Sequence, residues 1–286
     1  MSDVPTAPEA TVVIPTRRRP DTLGACLDAL LAQDTARRYE IVVVDDNDAP
    51  LRLGPEYADR VRLVVSGGRG PAVARNVGIR AAASPVILFT DDDTLPFPGW
   101  VESAVAALTA APDAIGVEGP IESVPWDVLY ERSVRSGPNS RFTGNVGYRR
   151  ADLLAEGGFD EAFRLPGVED VELGLRMVAR GPVLYVPEMR VEHRPRRLSA
   201  RQMAARGRSV VNDVRLYRKH PSWSHRGCGP RRSALIERAA VWYHRLRDST
   251  VTHRSPRRVA RLLVLAGGEL AVAGFALLRH RDVVRP

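Results

Sequence analysis

Short runs of β-branched and aliphatic residues alternate with segments whose apolar positions recur at helical spacing throughout the first half of the chain. Thr11 to Pro15, Glu40 to Val44, Val61 to Val65 and Val86 to Thr90 read as strands, and Ala114 to Val117 as a fifth. Between the first two, Leu23, Leu27, Leu30 and Leu31 fall on one helical face, with Pro20 and Asp21 at its start. Gly70 to Ala83 reads as a second helix, and another follows Gly99-Trp100. This order is that of βαβ units, which predicts an α/β fold with a mostly parallel sheet flanked by helices. From Ile121 to Phe142 no period is clear, and Pro125, Gly137 and Pro138 punctuate it, so the stretch reads as loop. Pattern returns over Gly144 to Glu156, in a helix from Glu169 to Arg180 and in a strand from Val183 to Val186. Beyond Ser199 the chain reads as helical, with breaks near Pro221 to Pro230 and at Ser255-Pro256. No internal repeat or low-complexity tract is present.

Charge divides the chain where the pattern does. Residues 1–188 carry 19 basic and 28 acidic residues, a net of −9, whereas residues 189–286 carry 23 basic and 6 acidic, a net of +17. An acidic body with a basic helical tail points to a tail that meets something anionic, or to a solvated basic surface. All but one of the 42 basic residues are arginine, the exception being Lys219. A bias of that kind follows genome composition, so the high isoelectric point by itself is no argument for nucleic-acid binding. Cys26 and Cys228 form no CxxC pair and indicate neither a disulfide framework nor a zinc site, which fits a reducing, cytoplasmic compartment. Met1 to Ala10 has no basic and apolar leader pattern, so no signal peptide is expected.

Chemistry concentrates at the ends of strands. Leu88-Phe-Thr-Asp-Asp-Asp-Thr-Leu-Pro96 runs an apolar strand into three successive carboxylates, Asp91, Asp92 and Asp93. Their repulsion calls for a cation, and hard oxygen ligands at a strand's C-terminal end suit Mg²⁺ or Mn²⁺ bridging to a diphosphate. An acidic turn capping the next helix is the plainer alternative, although one acid would suffice for that. Val44-Asp-Asp-Asn-Asp48 repeats the arrangement, either to accept hydrogen bonds from a base or ribose or simply as an Asp/Asn turn. Gly67-Gly-Arg-Gly-Pro-Ala-Val-Ala-Arg-Asn-Val-Gly78 opens a helix with Arg69 and Arg75, which could meet a base or phosphates, or be a turn with surface arginines. Glu169, Asp170 and Glu172 crowd a helix start. The helix dipole explains acids there, and so does a need for a general base. His193 stands beside this assembly, as a metal or phosphate contact or as a structural histidine.

In order, these clusters resemble the family 2 glycosyltransferases of GT-A fold. The matching pieces are Val12-Val-Ile-Pro-Thr-Arg17, Ile41-Val-Val-Val-Asp-Asp46, Ala74-Arg-Asn-Val-Gly78, and Phe89-Thr-Asp-Asp-Asp93 with Pro98-Gly-Trp100. Thr143-Gly-Asn145, Gly157-Gly-Phe-Asp-Glu161, Glu169-Asp170 with Glu172-Leu173, and Val186-Pro187 before His193 follow. The resemblance implies a catalytic domain over 1–198, with a nucleotide-sugar half at 10–118 and an acceptor half at 119–198, and leaves 199–286 as an extension. It implies that Pro15, Thr16, Arg17 and Asp45 or Asp46 border the base and ribose and that Arg75 helps to hold the base. Asp91 and Asp93 would form a DxD pair, with Asp93 the direct metal ligand, Asp92 nearer the donor sugar and His193 a third ligand. Asp170 would be the catalytic base, with Glu169 as its substitute. The implied reaction is inverting transfer from a nucleotide-diphosphate sugar, most commonly a UDP-sugar, to a saccharide, lipid-linked or natural-product hydroxyl. No QxxRW motif is found, which implies a non-processive enzyme.

Two other functions use similar parts. A sugar-nucleotide pyrophosphorylase needs a glycine-rich basic loop after its first strand, and Pro15-Thr-Arg-Arg-Arg-Pro20 has no glycine. A nucleic-acid-binding module would explain the tail but not Asp91, Asp93 and Asp170, and the tail lacks interleaved aromatics, so no nucleic-acid partner is expected. Leu262 to Leu278 is apolar apart from Glu269, too short and too costly in charge for a membrane span. Flanked by Arg257, Arg258, Arg261, Arg279 and Arg281, it reads as a helix on the inner, anionic face of a membrane, as a packed hairpin, or as a homodimer interface.

Overall fold

The computed structural model describes residues 7–123, 131–132, 136–194, 196–223, 229–253 and 256–279. Pro125, Cys228, Ser255 and Arg281, all used above, lie outside the described residues. In chain order the first elements are β1 (Ala10–Thr16), α1 (Pro20–Leu31), β2 (Tyr39–Asp45), β3 (Arg62–Val65), α2 (Pro71–Ala81) and β4 (Val86–Phe89). Next come β5 (Thr94–Pro96), α3 (Trp100–Ala110), β6 (Gly116–Glu118), β7 (Ile121–Ser123), β8 (Glu131–Arg132), β9 (Val146–Arg149) and α4 (Arg150–Ala155). Then follow α5 (Glu169–Arg180), β10 (Val183–Tyr185), β11 (Val191–His193) and β12 (Arg196–Arg197). Helices α6 (Ala200–Ala205), α7 (Val210–Lys219), α8 (Pro230–His253) and α9 (Pro256–Arg279) complete the order.

The chain forms two compact units, one of Met1–Val124, Val134–Arg164 and Glu169–Arg194, the other of Pro125–Ser133, Leu165–Val168 and Pro195–Pro286. In the first, a seven-stranded sheet runs β10-β6-β9-β4-β1-β2-β3. The neighbours β4-β1-β2-β3 are mutually parallel, as is β10 with β6, and β9 enters antiparallel between β4 and β6. The alternation of side chains along each strand sends its two faces to two cores. Val12, Ile14, Ile41, Val43 and Leu88 pack with Leu23, Leu27 and Leu30 of α1 and Trp100 and Leu108 of α3. Val13, Val42, Val44, Ile87 and Phe89 pack with Ala74 and Ile79 of α2 and Leu173 and Met177 of α5. Burial on both faces is why these strands read as unbroken apolar runs.

Register then places the chemistry. β1 and β2 end together with Thr16 beside Asp45, while β4 ends at Phe89 beside Val13, so the acidic turn after β4 runs alongside the last residues of β1. The loop from β3 into α2 is fixed at Gly70, whose φ of +101° suits glycine and where a Cβ would fall 2.3 Å from the Arg164 carbonyl oxygen. Gly70→Ala is therefore expected to lower unfolding free energy by roughly 2–4 kcal/mol, read from the urea midpoint at constant m.

The sequence reading differs from this architecture in several places, two of them in the first unit's sheets. The stretch taken as loop contains β7, which pairs parallel with β11, and β11 pairs antiparallel with β5 to make a three-stranded sheet. The fifth strand lies at Gly116–Glu118, two residues later than expected at its start.

Beyond residue 198 the described residues of the second unit are mostly helical, and β8 and β12 pair antiparallel. Val210, Val214 and Tyr217 of α7 pack with Ala234 of α8 and Ala273, Ala276 and Leu277 of α9. Arg238 ties the helices through charge, donating to Asp213 at 2.8 Å and to Glu269 at 3.0 Å. Among the described residues no helix is long and apolar enough to cross a membrane.

Candidate active site

The acidic turn after β4 holds its three carboxylates in different surroundings. Asp92 is buried, accepting from Thr16 Oγ1 at 2.7 Å and from Arg19 Nη1 at 2.7 Å. Loss of solvent raises its carboxyl to about 6, with the neighbouring acids adding to the effect and Arg19 opposing it. Asp93 accepts from the same Arg19 nitrogen at 2.9 Å, and its other oxygen lies 3.6 Å from His193 Nε2. The antiparallel pairing of β11 with β5 brings His193 there by setting it opposite Thr94, and Arg194 N–H donates to the Asp93 carbonyl at 3.1 Å. Burial alone would make Arg19 easier to deprotonate, but Asp92, Asp93 and Asp91 hold its proton more firmly than usual. Beneath the turn, Cys26 donates weakly to the Asp91 carbonyl at 3.6 Å; burial and the same acids push its thiol up, so it stays neutral.

Asp91 turns the other way. Its Oδ1 accepts from Arg75 Nη2 at 3.0 Å, while Arg75 Nη1 donates to Glu169 at 2.9 Å. The expected trio of Asp91, Asp93 and His193 is therefore not assembled: among the described residues no three His, Cys, Asp or Glu side chains are placed to hold a metal ion. The structure brings Asp93 and His193 together and commits Asp91 to Arg75. Likewise Arg75, expected on the nucleotide base, is buried with both terminal nitrogens on carboxylates and its guanidinium 5.6 Å from the Phe159 ring.

Through Arg75 the acidic turn is joined to the start of α5. Asp170 follows Glu169 there, accepting from Val171 N–H at 2.9 Å and from Thr143 N–H at a long 3.4 Å. Loss of solvent and the Glu169 charge push its carboxyl up to about 7, against the pull of Arg75. Glu172 is fully buried and paired with Arg176 at 2.9 Å, and Arg176 also donates to the Glu156 and Gly158 carbonyls. Glu172 is thus a brace for α5. Glu118 does similar work for the loop before Thr143, accepting from Asn139 and Arg141 N–H groups, both of which have positive φ.

The acids after β2 serve their loops. Asp45 is buried and accepts from Asn47 N–H, Asn47 Nδ2 and Leu51 N–H, the Asp/Asn turn weighed above. Asp46 accepts from Ser66 Oγ, Arg69 N–H and Gly70 N–H, which secures the loop leading to α2. Arg17 lies 3.8 Å from Asp46 and 3.3 Å from Asp48, while Arg69 Nε donates to the Ser66 carbonyl at 3.0 Å. Pro15 sits within β1 opposite Val44. These groups line the ends of β1 and β2, with Thr16 reaching over to Asp92.

The sequence profile described as Glycosyl transferase family 2 matches residues 11–153, half of the chain. A Validoxylamine A glucosyltransferase from Streptomyces hygroscopicus subsp. jinggangensis is 32% identical, across 75% of this chain and 62% of the relative. The chain belongs to glycosyl transferase family 2. A second relative, the Pre-mycofactocin glycosyltransferase of Mycobacterium tuberculosis, is 29% identical across 66% of this chain and 43% of its own. The family 2 chain described here thus spans less than two thirds of these relatives' length. Among solved structures, the mannosyltransferase PcManGT from Pyrobaculum calidifontis, in complex with GDP-Man and Mn²⁺, superposes with a TM-score of 0.57 at 20% identity, covering 95% of this chain and 87% of its own. GalNAc-T7 with UDP, GalNAc and Mn²⁺ gives a TM-score of 0.55 at 18% identity, covering 76% and 51%. These likenesses are of fold, and with the mostly parallel sheet they make this family 2 member a GT-A protein, as the sequence implied.

One residue at the heart of the site escaped the sequence reading. Arg19 bridges Asp92 and Asp93, yet it is the third of three successive arginines, and Arg17 and Arg18 turn instead to Asp48. The only available signal was its place at the residue before Pro20, where the chain turns into α1.

Proposed function

We propose that this family 2 protein moves a hexosyl group from a nucleotide-diphosphate donor, a UDP-sugar first among the candidates, to an acceptor hydroxyl with inversion at the anomeric carbon. The observation that carries the reading is the single guanidinium of Arg75, which joins the acidic turn to the carboxylates of α5. Groups suited to a leaving diphosphate and a group suited to an acceptor proton are thereby held in one assembly.

Asp170 takes the acceptor's proton as that oxygen attacks the anomeric carbon. The bond to the diphosphate oxygen breaks as the new glycosidic bond forms, and the electron pair leaves with the nucleotide diphosphate. One displacement inverts the centre, so one base is enough. Glu169, clamped by Arg75, raises the basicity of Asp170 and keeps its place beside it. Asp93 and His193 would hold Mn²⁺ or Mg²⁺, whose charge would stabilise the departing diphosphate. The donor set fits such an ion. A carboxylate and an imidazole lie 3.6 Å apart beside a further carboxylate, a cation (Arg19) already bridges the acids, and two protein ligands leave room for diphosphate oxygens. The Mn²⁺ and nucleotides held by both solved neighbours support this reading, and the relative named Validoxylamine A glucosyltransferase supports a hexosyl group as the cargo.

The test is incubation with UDP-, GDP- and dTDP-sugars, Mn²⁺ and a panel of glycoside, lipid-linked and cyclitol acceptors. A product whose anomeric configuration by NMR is opposite to the donor's is expected. A product of retained configuration would overturn the single displacement.

A further inference from the structure

Helix α9 is apolar on both of its faces, and only one of them is used by the bundle. Leu265, Ala266, Ala273, Ala276 and Leu277 are buried against the neighbouring helices. Glu269, the one acid of the stretch, also points inward and accepts from Arg238 Nη1 at 3.0 Å. On the opposite face Leu263 is 55% exposed, Val264 75%, Phe275 65% and Leu278 62%. Exposed Gly267 and Ala271 lie between them. At helical spacing these six positions share a stripe about 120° wide that runs from Leu263 to Leu278. A solvated helix would carry polar residues there.

The arginines say what covers the stripe. Arg261 and Arg279 are exposed at opposite ends of α9 and fall along one edge of it. The segment from residue 189 onward holds 23 basic residues against 6 acidic, while the rest of the chain is acidic. A second copy docking through this face would bring two strongly positive units together, whereas an anionic surface is attracted by the same charges that oppose self-association. An apolar stripe edged by arginine, on a helix that does not span, is the pattern of a helix lying in a bilayer's headgroup region with its arginines at the phosphates. We infer that the outward face of α9 docks this protein on anionic lipid bilayers as a peripheral protein. The inference stands apart from the transfer reaction and survives or fails without it.

Flotation of the full chain with vesicles tests it, comparing phosphatidylcholine alone with phosphatidylcholine containing about one third phosphatidylglycerol. Wild type is expected to float with the anionic vesicles at low salt, to be released by high salt, and to ignore the neutral ones. Val264→Asp with Phe275→Asp is expected to weaken binding at least roughly tenfold with an unchanged melting midpoint, because both residues are solvent-exposed. Arg261→Gln with Arg279→Gln is expected to weaken binding and flatten its salt dependence. Absence of wild-type flotation at low salt would overturn the inference. So would wild-type binding by the double aspartate variant, or a dimer in light scattering that the aspartates dissolve while vesicles are ignored.

Discussion

Asp170→Asn is expected to lower sugar transfer by roughly 10²–10⁴-fold while leaving nucleotide affinity within about twofold of wild type. Asparagine keeps the shape and, through its single oxygen, the shorter hydrogen bond from Val171, giving up the long one from Thr143, and it cannot take a proton. Wild-type transfer by the variant would remove Asp170 from the mechanism and turn attention to Glu169. The environment that makes this carboxylate a better base also makes it costly. Its carboxyl is pushed up to about 7, first by loss of solvent and then by Glu169. Activity is therefore expected to rise with pH through about 7, as the base ionises. Stability moves the opposite way for this group. Below its unfolded value of about 4 both states are protonated and nothing is lost. The penalty builds as pH rises from there and is complete above about 7. Asp170→Asn removes it, so the variant should unfold later than wild type at pH near 8, by roughly 1–2 kcal/mol, and show no gain near pH 4. Equal melting midpoints at both pH values would contradict the assignment of a buried, raised carboxyl.

Arg75→Met is expected to be the most destabilising change at the site, costing roughly 3–5 kcal/mol at neutral pH. Methionine fills much of the space, so the loss is mainly one of charge. Asp91 and buried Glu169 lose the guanidinium that binds both, and Asp170 loses the positive charge that opposes its upward shift. Without it the upward push on the Asp170 carboxyl loses its main opponent in the folded state. The penalty is then greatest at high pH and eases as pH falls through that raised value, because the folded state gains a proton the unfolded state does not need. Urea midpoints at pH near 8 and near 5 read this directly. A loss independent of pH would mean that packing, including the Phe159 contact, dominates instead. Adding Glu169→Gln should restore part of the stability, a coupling that a packing defect would not show.

Central β1, β2 and β4 were legible because burial on both faces writes an apolar run that few other structures require. Helix α5 was legible from Glu169 to Arg180 because a strong apolar stripe, buried at Leu173 and Met177, runs between charged flanks. Strand β9 was not, since a short run such as Val146–Arg149 carries no sign of whether its neighbours are parallel or antiparallel. The pairs that β11 makes with β5 and β7 escaped for a related reason: three-residue strands are too short to show a period. At the site, the acidic turn was readable from composition, but the direction each acid faces was not. Asp91, Asp92 and Asp93 are identical in sequence terms, and only the fold sends one to Arg75, one to Thr16 and one toward His193. The same holds for Asp45, whose carboxylate closes a local turn. Tertiary partners far along the chain decide these roles, and local spacing does not encode them.

The measurement that bears most directly on the proposed donor site is calorimetric titration of UDP, GDP and dTDP into the full chain with Mn²⁺, repeated with EDTA and with Asp93→Ala. The proposal predicts micromolar binding of one nucleotide by wild type, lost both on chelation and in the variant. Binding that persists undiminished in EDTA and in Asp93→Ala would contradict a metal-bridged diphosphate held at the acidic turn.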